Sequence, residues 1–73
     1  MNDSERLRVL LGFWMKHNLE HAEEFIEWAS RAESLGCGEA ASRLQAAAQE
    51  MKSVNNSLEA ALDLLEGALE RAD

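Results

Sequence analysis

The amino-acid sequence predicts an all-α protein, an antiparallel two-helix hairpin that dimerises into a four-helix bundle. Two long apolar stripes, with alternating steps of three and four residues, predict the helices. A glycine-flanked break near the middle of the chain predicts the turn between them. The 73 residues contain no proline, and Ala supplies many of the hydrophobic positions, a composition that favours helices over strands. We expect one domain over residues 1–73.

The first predicted helix spans about residues 4–35. Asp3 or Ser4 is the expected N-cap, because short polar side chains accept hydrogen bonds from the first helical N–H groups. Gly36 suits the left-handed conformation that ends many helices. Between these ends the predicted buried stripe consists of Leu7, Leu10, Trp14, His17, His21, Glu24, Trp28, Ala32 and Leu35, widened by Leu11, Phe13, Phe25 and Ala29.

Residues 36–38 form the predicted turn, and the second helix spans about residues 39–72. Asn55 is the single polar residue in its stripe. Gly67 weakens the helix near its end, by roughly 1 kcal/mol relative to Ala if it is exposed. The stripe consists of Leu44, Ala48, Met51, Asn55, Leu58, Leu62, Leu65, Leu69 and Ala72.

Two helices cannot bury stripes this wide against each other alone, so the sequence predicts a homodimer. Folding the chain at residues 36–37 places opposite each other residues whose numbers add up to about 73. Trp28 then lies at the level of residues 46–48 and Trp14 at the level of residues 60–61, all alanines. Large residues therefore meet small ones, as a packed core requires. The predicted core residues are Trp14, Trp28, Leu58, Leu62 and Leu65.

A polar cluster interrupts the first stripe at its centre. His17, His21 and Glu24 follow one another at steps of four and three residues, and the register places His17 near Asn55. One interpretation is a buried hydrogen-bond network that specifies register and partner at some cost in stability. The other is a metal site, in which His17, His21 and Glu24 from both protomers bind Zn, Ni, Fe or Mn.

The cluster does not match a known catalytic motif. Di-iron bundles carry Glu-x-x-His, whereas here His precedes Glu, and the second stripe supplies no carboxylate. Nothing in the sequence places a nucleophile beside the histidines, and there is no glycine-rich phosphate loop. We therefore expect no enzyme activity and no catalytic residue. Cys37, the single cysteine of the sequence, lies in the predicted turn. It could be a reactive thiol, a metal ligand, a partner in an intermolecular disulfide or an incidental turn residue.

The charge balance argues against nucleic-acid binding. Acidic residues outnumber Lys and Arg by 14 to 7, and the formal net charge of -7 would repel phosphate backbones. The N-terminal segment has neither the basic region nor the apolar run of a signal peptide, and no segment predicts a membrane span. We expect a cytoplasmic protein without membrane contact.

The run from His17 to Phe25, HNLEHAEEF, continuing to Trp28 and Ala29, resembles a run in short, uncharacterised prokaryotic helical-hairpin proteins. The resemblance implies a stand-alone prokaryotic protein and carries no activity. The sequence therefore predicts a small homodimeric assembly or binding module with a central polar layer. The alternatives are a transition-metal-binding protein and an adaptor that docks its apolar stripe onto another protein's helices.

Overall fold

The computed structural model describes residues 2–71, which form two helices packed as an antiparallel hairpin. Helix α1 spans Asp3–Ser34 and helix α2 spans Gly38–Glu70. The predicted all-α hairpin is confirmed, and the observed bounds lie within one or two residues of the predicted ones. Ala72, the last residue of the predicted second stripe, lies outside the described residues. The hairpin is 59 Å long and a single layer of helices thick.

Helix α1 begins one residue earlier than predicted, and its N-cap is Asn2 instead of Asp3 or Ser4. The Asn2 side-chain oxygen accepts a hydrogen bond from the Glu5 N–H at 2.9 Å. Asp3 and Glu5 then lie in the first turn, where their negative charge stabilises the positive end of the helix dipole.

The turn is a Schellman motif built on Gly36. Its φ of 80° is the left-handed conformation that glycine adopts without steric cost. The Cys37 N–H donates to the Ala32 carbonyl at 2.9 Å, and the Gly36 N–H donates to the Glu33 carbonyl at 3.0 Å. These bonds satisfy carbonyls that the end of α1 would leave free, so the chain reverses within residues 35–37.

Small residues form the contact between the two helices. Ala29, Ala32 and Ala41 make one buried cluster, against which Leu44 packs. Ala32 with Ala41, and Ala29 with Leu44, are pairs whose numbers add up to 73, as the predicted register requires. The buried residues of the described chain are Leu11, Ala22, Ala29, Ala32, Ala41 and Ala48.

Apart from Ala32, which belongs to both, the seam of the hairpin on α1 lies one residue later than the predicted stripe. It follows Leu11, Met15, Asn18, Ala22, Phe25, Ala29 and Ala32, all buried or half-buried. Trp14 and Trp28 lie beside this seam and remain 40% and 54% exposed in the single hairpin. On α2, the predicted core residues Leu58, Leu62 and Leu65 are half-buried. The hairpin alone therefore does not bury the predicted aromatic core, whose burial in a dimer remains a prediction.

Candidate functional site

A second apolar stripe runs along each helix, one residue before the seam. On both helices its members recur every seven residues, which keeps them on one side of the helix. The α1 stripe is mostly large: Leu7, Trp14, His21, Trp28 and Leu35. The α2 stripe is small: Ala40, Ala47, Val54, Ala61 and Ala68.

These two stripes lie on the same face of the hairpin. Viewed from one end, an antiparallel partner winds in the opposite sense, so residues that precede the seam on both helices fall on the same side. We call this surface the large–small face. It is widened on α1 by the exposed side chain of Leu10 and by His17, on which Phe13 stacks.

The opposite face of the hairpin differs in chemistry. Leu19 and Ile26 lie there on α1, each 47% exposed. The positions that follow the seam on α2 are all polar, namely Gln45, Lys52, Glu59 and Glu66. Only the large–small face is therefore apolar along both helices of the described chain, which makes it the candidate interaction surface.

An asparagine pair forms the polar layer of the seam. The Asn18 side-chain amide donates to the Asn55 oxygen at 3.0 Å, and the Asn55 amide donates to the Met15 carbonyl at 2.9 Å. The sequence predicted Asn55 in this layer but placed His17 opposite it. The correct partner is Asn18, one residue later, which the rule of numbers adding up to 73 would have selected. Asn18 is a residue that the sequence interpretation missed.

The two histidines lie on the large–small face and not in the seam. Their Nε2 atoms are 3.0 Å apart, so one imidazole donates a hydrogen bond to the other. Phe13 stacks on His17, and Phe25 stacks on His21, with ring centroids 5.8 and 6.0 Å apart. His17 is exposed and His21 half-buried in the single hairpin. The pair is thus held by aromatic neighbours on one helix and open on its outer side.

The third member of the predicted metal site does not converge with the histidines. The Glu24 carboxylate lies 3.9 Å from His21 Nδ1, on the side of the ring away from the Nε2 that faces His17. Among residues 2–71, no group of three or more His, Cys, Asp or Glu side chains is arranged to hold a metal ion. The geometry of one chain therefore gives no support to the Zn, Ni, Fe or Mn hypothesis.

Arg31 borders the large–small face near the turn. Its guanidinium lies 4.4 Å from the centre of the Trp28 ring and is held by Glu27 at 2.7 Å. A paired arginine over an indole covers apolar surface while its charge stays in water. This arrangement is typical of the polar rim around an apolar contact surface. Cys37 is exposed in the turn with a free thiol.

These features define a class, a single-layer helical hairpin with one unpaired apolar face. Within that class the chain belongs to the family described as a domain of unknown function, DUF8180, whose model matches residues 7–65. It is also similar to an uncharacterized protein of Archaeoglobus fulgidus, 39% identical over 61 residues. That similarity covers 84% of this chain and 97% of the archaeal protein.

No solved structure matches the chain. The comparisons therefore confirm the predicted kinship with short, uncharacterised proteins, one of them archaeal, and assign no activity. Within residues 2–71, neither helix combines the length and the apolar character that crossing a membrane requires.

Proposed function

We propose that the protein is a homodimeric assembly module, in which two hairpins bury their large–small faces against each other to form a four-helix bundle. The observation that carries the proposal is the continuity of that face. It contains the two tryptophans and runs the length of both helices, whereas the opposite face is polar on α2.

The exposed surface of the hairpin exceeds that of a compact protein of its mass. A compact folded monomer of 8.1 kDa exposes about 4,500 Å² by the usual scaling. This chain exposes 5530 Å². The excess of about 1,000 Å² per chain is comparable to the roughly 800 Å² that each partner buries in a standard interface.

The seam of the hairpin is too small to stabilise the fold alone. The described residues contain one buried leucine, and every other buried residue is an alanine. Burying a large apolar side chain contributes about 1.5–3 kcal/mol. The large apolar residues of the seam other than Leu11 are only half-buried, and Leu7, Trp14 and Trp28 on the large–small face are 40%, 40% and 54% exposed. A chain of this length has little other core, so association would supply the missing burial.

Two polar pairs lie at mid-length, where they would specify the assembly. Asn18 and Asn55 are bonded in the seam, and the His17–His21 pair lies at the same level on the large–small face. A polar group inside an apolar contact must find a partner, so it penalises shifted registers. The asparagines would set the register of the hairpin, and the bonded histidine pair would mark the middle of the contact between two copies.

Sedimentation velocity at micromolar concentration tests the proposal with a matched pair of variants. Trp28→Glu places a charge on the large–small face and should convert a dimer into a monomer. Ile26→Glu lies two residues away on the same helix, similarly exposed but on the opposite face, and should leave the dimer intact.

The outcomes separate the remaining functions. A well-folded wild-type monomer would overturn the assembly module and favour the adaptor that docks onto another protein's helices. Loss of the dimer in Ile26→Glu, with Trp28→Glu unaffected, would show that the opposite face is the contact surface. Circular dichroism of both variants checks that each remains helical.

A further inference from the structure

We infer that the two copies pair with their turns at the same end, so that α1 of each copy packs on α2 of its partner. This inference rests on the homodimer proposed above and adds its orientation. Twofold pairing of two flat hairpins through one face allows two arrangements. The axis runs either along the helices, which brings the turns together, or across them, which places the turns at opposite ends.

The sizes of the facing side chains favour the first arrangement. With the turns together, the α1 stripe of one copy faces the α2 stripe of the other at equal heights. Equal heights join residues whose numbers add up to 73, so the nearest members of the two stripes are those that add up to 75, offset by two residues or about 3 Å. Trp14 then meets the partner's Ala61, and Trp28 meets the partner's Ala47. Every layer combines a large and a small residue, which keeps the separation of the two hairpins constant along their length.

The second arrangement packs like against like. The α1 stripe would face the partner's α1 stripe, which brings tryptophan-bearing surfaces together, and alanines would face alanines on the α2 side. One half of the interface would then need a wide separation and the other a narrow one. Two rigid single-layer hairpins cannot meet both requirements without voids, and voids in a core are destabilising.

The first arrangement also completes the surroundings of the histidine pair. Within the facing stripe, His21 would lie nearest to the partner's Val54, a β-branched side chain that is 46% exposed in the single hairpin. The pair would thus be enclosed between its own Phe13 and Phe25 and the partner's α2. In the second arrangement the same histidines would face the partner's histidine pair across the axis.

The single cysteine gives a direct measurement of the orientation. Cys37 is exposed and lies in the turn, so a nitroxide label attached to it reports where the two turns are. Neighbouring helices of a bundle lie about 8–10 Å apart, so turns at the same end place the two labels within about 25 Å. Turns at opposite ends separate them by nearly the helix length, about 50 Å.

Pulsed dipolar spectroscopy on the labelled dimer distinguishes these distances. A distribution centred below about 25 Å supports the inference, because adjacent helices are this close. A distribution near 50 Å, the helix length, overturns the orientation and leaves the homodimer standing. A monomer by sedimentation of the same sample overturns the homodimer itself, and the orientation with it.

A label at mid-length controls for labelling and dimer formation. In the Cys37→Ser, Ser53→Cys double variant the label lies on the exposed side of α2, near the middle of the hairpin. Both arrangements bring mid-length positions to the same height, so this distance should be short in either. A short distance at Ser53→Cys together with a long one at Cys37 would exclude turns at the same end.

Discussion

Asn18 and Asn55 are bonded across the hairpin, Nδ2 to Oδ1 at 3.0 Å, and they are the partners that the fold at residues 36–37 places at the same height. The Asn55 side-chain amide in turn donates a hydrogen bond to the Met15 carbonyl at 2.9 Å. All three groups belong to partly buried residues, so the bonds replace contacts with water and make this layer the polar marker of the register.

Replacing Asn55 by alanine should destabilise the hairpin. The change leaves the Asn18 amide without its acceptor in a half-buried seam, and an unmet polar group of this kind costs about 1–3 kcal/mol. Urea denaturation measures the free energy of unfolding of Asn55→Ala and of Asn56→Ala, a change at the exposed neighbouring position. Both changes raise the helix propensity equally, so the difference between the two variants measures the cost of the lost hydrogen bond. Equal stabilities for the two variants would show that the pair contributes nothing.

The double change Asn18→Leu, Asn55→Leu should restore stability or exceed that of the wild type. Removing both partners leaves no unmet polar group, and apolar replacements of similar size are often neutral or stabilising. Its urea midpoint should lie above that of Asn55→Ala. A double variant as unstable as the single one would contradict the role of the layer as a bonded pair.

Two glycines should respond in opposite directions to the same substitution. Gly36→Ala forces a side chain into a φ of 80° and should cost roughly 1–2 kcal/mol. Gly12→Ala lies within α1 and should stabilise by about 0.5–1 kcal/mol, because alanine loses less backbone entropy. Neither added methyl group would meet another atom within 4 Å, so thermal denaturation measures backbone effects alone. Equal shifts at both positions would contradict the Schellman turn.

Zinc or nickel added at one equivalent should leave the melting temperature unchanged. The two imidazoles supply at most half of a tetrahedral shell, and Glu24 lies on the wrong side of the His21 ring to join them. Differential scanning calorimetry with and without metal is the measurement, since a ligand bound to the folded state raises the melting temperature. A metal-induced rise in melting temperature that is absent in His17→Gln would instead support a metal site with ligands from two chains.

Much of the fold follows from the order of residues alone. The stripe spacing identified two helices, Gly36 identified the turn, and the position of the turn set a register that the Asn18–Asn55 bond confirms. These features are local or depend on one chain reversal, so propensity, capping and counting are sufficient to find them.

The choice between two neighbouring stripes on α1 was decided only when both helices packed together. The stripe through Trp14, His21 and Trp28 and the stripe through Met15, Ala22 and Ala29 differ by one residue, about 100° around the helix, and both are apolar enough to be buried. Hydrophobic periodicity cannot rank two such stripes, because either satisfies the spacing. The small alanine side chains let the two backbones approach closely, so the alanine stripe forms the seam. The tryptophans and the histidine pair therefore lie on the outer face.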